Sequence, residues 1–145
     1  MSLQLFTLLA RVESNAEQFA VRFEPAHTSS PAHIAQMVNA CGGPGQCSLR
    51  TAVVLCSMSF GLYQIMGDEL MAMRMPYSPL EMIADSAKQD QWLTTYLTMD
   101  SLQHVTADDI GNDEAIREHF ATLYNGPGNV AAYSARLLSA YQELT

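Results

Sequence analysis

The chain has 145 residues, of which 48% are hydrophobic and 15% are charged, and its formal net charge is −8. This length suits one domain with a single core, and the apolar content argues against disorder. The acidic balance argues against nucleic acid as the main partner, because phosphate binding requires a Lys/Arg surface. No apolar run approaches the roughly 18 residues that span a bilayer, so no stable membrane insertion is expected.

Helical patterns cover most of the chain and predict a mainly α fold in one domain, residues 1–145. In the first helix Leu5, Leu8 and Val12 form one apolar stripe. Ser30 and Ser78 each precede a proline, which is a typical helix start. The predicted helices cover residues 2–13, 30–40, 48–58, 68–73, 78–99, a short one from 106 to a break at Gly111, 113–124 and 130–141.

Three of these assignments make specific structural claims. Helix 48–58 is apolar almost all round and is expected to be buried, and residues 78–99 are expected to form one long helix. Residues 15–30 are mixed and are expected to be extended or looping. No pair of alternating runs flanks a turn, so no hairpin is predicted.

Three cysteines do not suggest a secreted disulfide scaffold. Cys41 and Cys47 bracket a Gly-rich loop that is flexible enough to let them meet, so a bridge is one reading and two free thiols are the preferred one. A zinc site is less favoured, because no second Cys or His pair lies at ligand spacing. Cys56 lies in an apolar helical run and is expected to be buried.

The N-terminus carries no recognisable secretory signal. Gln4 and Thr7 interrupt its apolar residues, no basic segment precedes them, and Glu13 stands where a small-residue cleavage site would be. Synthesis in the cytoplasm without a signal peptide is therefore expected.

Three short motifs occur in a distinctive order along the chain. Glu13 ends the first helix within A-R-V-E-S-N, segment 59–67 reads S-F-G-L-Y-Q-I-M-G, and Y-N-G begins at Tyr124. This ordered set resembles the lysozyme-like muramidases and lytic transglycosylases, and most closely the small phage-type N-acetylmuramidase domain. The resemblance covers most of the chain, from Leu5 to Tyr141.

The resemblance implies a lysozyme-like helical domain of the goose-type and soluble lytic transglycosylase kind. It implies that the protein cuts peptidoglycan glycan strands at the β-1,4 bond between N-acetylmuramic acid and N-acetylglucosamine. It further implies a phage origin, as an endolysin or as a virion-associated lysozyme with phage particle proteins as candidate partners. The enzyme would then act on the bacterial cell wall from the periplasm or from the virion.

Glu13 is the candidate general acid. Cleavage of a glycosidic bond requires an acid that is still protonated near neutral pH, and an apolar, partly dry setting raises a carboxyl pKa in this way. On the helical wheel Glu13 lies at the edge of the apolar side, between Leu9 and Phe6. An exposed glutamate at a frayed helix end is the alternative, and the resemblance favours the catalytic role.

Glu24 is the candidate second catalytic carboxylate, within R-F-E-P-A-H. It could activate or orient a water, or stabilise an oxocarbenium-like state. An ion pair with Arg22 or Arg50 is the alternative and is slightly favoured.

Segment 59–67 is the predicted wall of a substrate cleft. Phe60 and Tyr63 could pack on sugar faces, and Gln64 could donate to and accept from hydroxyl or acetamido groups. Gly61 and Gly67 would let a sugar ring approach the backbone. In this interpretation Tyr63 and Gln64 point outward, while the remaining apolar side chains pack in the core.

The Y-N-G motif supplies the last two candidates. The resemblance implies that Tyr124 lines the cleft with its hydroxyl near the acid. Asn125 is a substrate-binding candidate, but the end of a helix also explains Asn125 and Gly126 and is the favoured interpretation for both.

No motif for a dinucleotide, a P-loop or a zinc protease is present, so neither a cofactor nor a metal is expected. Two alternatives remain open. A lytic transglycosylase would form 1,6-anhydro products with a single carboxylate, and a non-catalytic phage structural protein would retain the fold without turnover.

Overall fold

Nine α-helices and three short strands make up the part of the chain that the computed structural model describes, residues 3–145. The mainly α fold class is confirmed. The start of the first helix, predicted at residue 2, lies outside the described residues. The helices are α1 (Leu3–Ser14), α2 (Pro31–Ala40), α3 (Leu49–Cys56), α4 (Gly67–Ala72), α5 (Pro79–Ile83), α6 (Ser86–Met99), α7 (Ala107–Asn112), α8 (Glu114–Asn125) and α9 (Val130–Leu144), and the strands are β1 (Val21–Phe23), β2 (Met58–Phe60) and β3 (Ile65–Met66).

The chain forms two compact units. The helical unit comprises Met1–Ala16 and Thr94–Thr145, and the sheet unit comprises Glu17–Leu93. The helical unit contains α1, the end of α6 and α7 to α9. The sheet unit contains the three strands, α2 to α5 and the start of α6.

An antiparallel sheet of order β1-β2-β3 organises the sheet unit. Phe60 pairs with Val21 on one side and with Ile65 on the other, and β2 and β3 form a hairpin through the turn at 61–64. The expectation of no hairpin is therefore wrong. Strands of two or three residues are too short to show the alternation that signals a strand in sequence.

The helix α3 is shorter and more exposed than predicted. Leu49 is 69% exposed, and Val53 and Val54 are 43% and 41% exposed. Only Ala52 and Cys56, which lie one turn apart, are buried. The expectation of a fully buried helix is wrong because α3 packs against α2 and α4 and leaves its opposite side open.

The predicted long helix 78–99 is two helices. Its start is as expected, because Ser78 Oγ accepts from the Glu81 amide at 3.3 Å and Glu81 Oε2 accepts from the Ser78 amide at 2.8 Å. The chain then leaves the helix at Ala84. Asp85 Oδ1 accepts from the amide of Ala87 at 3.0 Å, which satisfies a donor at the start of α6 and allows the new helix to begin.

The helical unit is built on the predicted stripe of α1. Leu5, Leu8 and Val12 are buried, and α1 packs against α7 and α9. Gly111 does not interrupt α7, which continues to Asn112. A Cβ atom at Gly111 would lie 2.2 Å from the ring of Tyr141, so this glycine admits a close contact with α9.

The three cysteines are free thiols, as preferred from the sequence. Burial, with the neighbouring Cys47 as a second cause, raises the pKa of Cys41 to about 11. Burial and the nearby Asp68 carboxylate raise the pKa of Cys56 to about 11. None of the helices described here has both the length and the apolar character that a membrane span requires.

Candidate active site

Glu13 lies in the last turn of α1, where its side chain is half-buried. The Tyr133 hydroxyl, from α9, donates a hydrogen bond to Glu13 Oε1. Tyr133 is 1% exposed, and burial together with the Glu13 carboxylate raises its pKa well above the ordinary value. The phenol therefore stays protonated and acts as a donor to the carboxyl group of Glu13.

Three further aromatic rings pack next to Tyr133 within the helical unit. Tyr133 stacks on Tyr124 with ring centroids 6.2 Å apart, and Tyr124 stacks on Phe120 at 5.4 Å. Tyr96 meets Tyr124 edge-on at 5.5 Å. The Tyr133 hydroxyl contacts the acid, and Tyr124 stacks on the ring of Tyr133. The expected position of the Tyr124 hydroxyl near Glu13 stays a prediction.

Arg136 ties the end of α1 to α9. Its guanidinium donates to the Val12 carbonyl and lies over the Tyr133 ring, 5.7 Å from the centroid. The Val12 carbonyl is among the last four of α1, which have no partner inside the helix, and a cation is favourable at that end. One residue thus holds both the backbone beside Glu13 and the ring that contacts its side chain.

The chain leaves α1 in a left-handed conformation. Asn15 and Ala16 have φ values of 54° and 61°. Their amides donate to Arg11 O at 3.2 Å and Ala10 O at 2.9 Å, which closes the helix. Asparagine tolerates this region, whereas alanine is strained in it.

We expect Ala16→Gly to stabilise the protein. The strain at φ 61° is about 1–2 kcal/mol and exceeds the roughly 0.4–1 kcal/mol that glycine adds in unfolded-state entropy. The free energy of unfolding in urea should therefore rise by about 0.5–1 kcal/mol. Ala10→Gly, inside α1, is the control and should lower it by about 1 kcal/mol. A loss of stability in Ala16→Gly would contradict the strain.

In the sheet unit, the side chains of Phe60 and Tyr63 are buried beneath the hairpin turn. Phe60 is 1% exposed and Tyr63 is 3% exposed. Tyr63 Oη donates to Asp90 Oδ1 at 2.5 Å, and burial followed by Asp90 raises the pKa of Tyr63. The expected outward orientation of Tyr63 is wrong, because its hydroxyl finds a carboxylate partner within the unit.

Gln64 is half-buried and uses most of its amide for hydrogen bonds within the sheet unit. Its Oε1 accepts from Ser59 Oγ at 3.0 Å, and its Nε2 donates to Gly61 O at 3.1 Å and Ala20 O at 3.3 Å. These bonds use both N–H groups and leave one lone pair of Oε1 for a further donor.

The space beside each glycine of this segment is occupied by protein atoms and is not open to a sugar. A Cβ atom on Gly61 would lie 2.2 Å from Gln89 Oε1, and one on Gly67 would lie 2.1 Å from the Leu55 carbonyl oxygen. The expectation that these glycines free the backbone for a ligand is therefore wrong. Both positions are filled by neighbouring parts of the sheet unit.

Glu24 follows β1 and pairs with Arg22. Its side chain is 34% exposed, and its amide donates to Ser57 O at 2.8 Å. The ion pair with Arg22 is present, and the catalytic role of Glu24 stays a prediction. Strand β1 lies beside β2, so the sheet brings Glu24, Phe60, Tyr63 and Gln64 into one unit.

Asn125 is the last residue of α8 and is exposed. Gly126 follows with φ 84°, a value that favours glycine. The favoured interpretation of this dipeptide as a helix end is confirmed. Its position leaves the amide of Asn125 accessible in the helical unit beside Tyr124.

Comparisons with known proteins identify the family. A family model described as N-acetylmuramidase matches residues 45–145, which include the 59–67 and Y-N-G motifs and follow Glu13 and Glu24. The endolysin of Enterobacteria phage PRD1 is 30% identical over 150 aligned residues, covering 98% of this chain and 97% of that protein. No solved structure matches the chain. The chain therefore belongs to the N-acetylmuramidase family and is a peptidoglycan-degrading enzyme of the phage endolysin type.

Proposed function

We propose that the enzyme hydrolyses the β-1,4 bond between N-acetylmuramic acid and N-acetylglucosamine, with Glu13 as general acid. The observation that carries this proposal is the contact between Glu13 and the buried hydroxyl of Tyr133. The Tyr133 hydroxyl orients the carboxyl group, and the aromatic rings beside it supply the apolar surroundings that favour the neutral form of a carboxylic acid.

In this proposal the Tyr133 hydroxyl orients Glu13 through Oε1, and the carboxyl group of Glu13 delivers a proton to the glycosidic oxygen. After that transfer the carboxylate is negative, and the phenol stabilises the charge because it is a donor. Arg136 limits movement of both partners, since it contacts α1 and the Tyr133 ring.

We propose that residues 1–145 are one lysozyme-like domain and that each unit supplies residues that contact the substrate. Gln64 has an acceptor lone pair left, Asn125 has an exposed amide, and the half-exposed Tyr124 ring could pack on a sugar face. Phe60 and Tyr63 would contribute by shaping the turn, because both are buried.

Glu24 would position the attacking water if the reaction is hydrolysis with a second carboxylate. Its pairing with Arg22 favours a second candidate function, however. A lytic transglycosylase needs one protein carboxylate, because the C6 hydroxyl of the sugar attacks and forms an anhydro ring.

We also propose the route by which the enzyme meets its substrate. Synthesis in the host cytoplasm, followed by release to the wall, fits the endolysin relative. Incorporation into the virion beside particle proteins is the alternative.

Mass spectrometry of fragments released from purified peptidoglycan tests the reaction. Hydrolysis should give fragments with a reducing N-acetylmuramic acid end, and transglycosylation should give fragments lighter by one water that borohydride does not reduce. Reducing N-acetylglucosamine ends, or new peptide ends alone, would overturn the proposed bond.

We expect Tyr133→Phe to lower kcat by about 10- to 100-fold, because the ring remains stacked while Glu13 loses its orienting hydroxyl. Removing a donor to a carboxylate favours its protonated form, so the alkaline limb of the pH–rate profile should move to higher pH. KM should change little.

The matched control is Tyr141→Phe, which removes a hydroxyl from the same helix. Tyr141 Oη donates to Asp108 Oδ1 at 3.0 Å, away from the acid. Its pH–rate profile should match that of the wild type. An equal effect of both variants would show that Tyr133 acts only through stability.

A further inference from the structure

The Gln89 side chain is the most buried polar group of the sheet unit. It lies in α6, is 0% exposed, and uses both ends of its amide. Oε1 accepts from the Leu62 amide at 2.6 Å, and Nε2 donates to Gln18 O and Ile83 O, each at 3.3 Å. One side chain therefore joins the hairpin turn, the segment before β1 and the end of α5.

The turn that Gln89 contacts has two residues with positive φ. Gly61 has a φ of 76° and Gln64 a φ of 49°, and only the first is glycine. The missing Cβ of Gly61 makes room for Gln89 Oε1, since a Cβ atom would lie 2.2 Å from it. Left-handed residues other than glycine persist where surrounding contacts hold them, and such strain concentrates at ligand-binding sites.

Neighbouring residues of α6 hold neighbouring residues of the turn. Gln89 binds the amide of Leu62, and Asp90 accepts from the hydroxyl of Tyr63 at 2.5 Å. Gln64 is the next residue in the chain. These two hydrogen bonds, which are called the polar clamp, therefore hold the two residues that precede Gln64 in the turn.

We propose that Gln89 is a positioning residue of the enzyme, which holds the 61–64 turn in the conformation that receives the glycan strand. This rests on the proposed function, in which Gln64 contacts the substrate. Gln89 itself need not touch the sugar, because it is fully buried. Its loss should release the turn and weaken substrate binding, while Glu13, which belongs to the helical unit, retains its contact with Tyr133.

The test compares Gln89→Met with Tyr77→Phe on soluble, uncrosslinked glycan strands. Methionine has a similar length, no hydrogen-bond donor and only a weak acceptor. Tyr77 is 5% exposed, and its hydroxyl donates to Lys88 O of α6 at 3.1 Å. Tyr77→Phe therefore removes a part-buried hydrogen bond to the same helix without changing a contact of the turn. We expect Gln89→Met to raise KM by about tenfold with kcat within about threefold of the wild type, and Tyr77→Phe to leave KM unchanged.

Hydrogen exchange at the Leu62 amide supplies a measurement that does not depend on activity. Exchange should be slow in the wild type and in Tyr77→Phe, and at least about tenfold faster in Gln89→Met. If the wild type were inactive but showed these exchange rates, the proposed function would be overturned, whereas the role of Gln89 in holding the turn would stand.

Gln89→Glu provides the conservative variant and covers the case in which Gln89→Met does not fold. It retains the acceptor for Leu62 N–H, and its protonated form retains one donor. At mildly acidic pH its KM should stay within about threefold of the wild type. Equal KM values for folded Gln89→Met and the wild type, or a tenfold KM increase in Gln89→Glu, would overturn the positioning role.

Discussion

Glu13→Gln should abolish wall lysis while the protein stays folded. Glutamine preserves the shape of the side chain, and its amide oxygen can still accept from the Tyr133 hydroxyl. It cannot release a proton to the glycosidic oxygen, and a general acid contributes about 100- to 10,000-fold to the rate. We therefore expect a loss of about a thousandfold or more in kcat on purified walls, with an unfolding midpoint close to that of the wild type.

Glu143→Gln is the matched control for this variant. It makes the same chemical change in the same unit, at an exposed residue that pairs with Arg11 at 3.1 Å. Exposed ion pairs contribute about 0–1 kcal/mol, so its activity should stay within about twofold of the wild type. Clearing of walls by Glu13→Gln at the wild-type rate would show that another group supplies the proton.

Glu24→Gln separates the two reaction types on the same substrate. If a second carboxylate positions water, this variant should lose most of its hydrolytic activity. If Glu24 only pairs with Arg22, activity should persist, because an exposed ion pair adds little. Persistent activity together with anhydro products would assign the reaction as transglycosylation.

The helix starts were predictable because their stabilising contacts are local. Ser30 accepts from the His33 amide, and Thr106 accepts from the Asp109 amide, each at 3.1 Å and each three residues along the chain. Such i to i+3 contacts leave a visible signature in the residue types. The stripe of α1 was predictable for the same reason, since 3.6 residues per turn repeats within the segment itself.

The contacts that define the site were not predictable in this way, because they join distant parts of the chain. Tyr133 is 120 residues from Glu13, and Gln89 is 27 residues from Leu62. Tyrosine and glutamine fit several environments, so neither residue type reveals its partner. Motif order made Glu13 and Gln64 candidates, but the residues that contact them became visible only in three dimensions.

The same limit applies to glycine. Sequence alone shows that a position lacks a side chain, but not whether a ligand or another part of the protein fills the space. For Gly67 the structure answers this question, because the Leu55 carbonyl of α3 occupies the position of a Cβ atom.

Gly67→Ala should be the most destabilising single substitution in the hairpin segment. The new Cβ would lie 2.1 Å from the Leu55 oxygen and 3.0 Å from its carbonyl carbon, and these backbone atoms are fixed within α3. Relief requires α3 and the start of α4 to separate, so we expect the free energy of unfolding to fall by about 3 kcal/mol or more. Helix propensity alone would favour alanine by about 1 kcal/mol, which makes the sign of the result decisive.

Two further variants identify the cause of that loss. Gly45→Ala introduces a Cβ with nothing within 4 Å, and its free energy of unfolding should stay within about 1 kcal/mol of the wild type. Met37→Ala removes the methyl group that would lie 3.1 Å from the new Cβ, but it should not rescue Gly67→Ala, because the closer conflict is with the backbone. If Gly67→Ala unfolded at the wild-type urea concentration and lost only affinity for glycan, the glycine would serve substrate approach after all. If Gly67→Ala lowers the stability and Met37→Ala does not restore it, Gly67 serves the packing of α3 against α4.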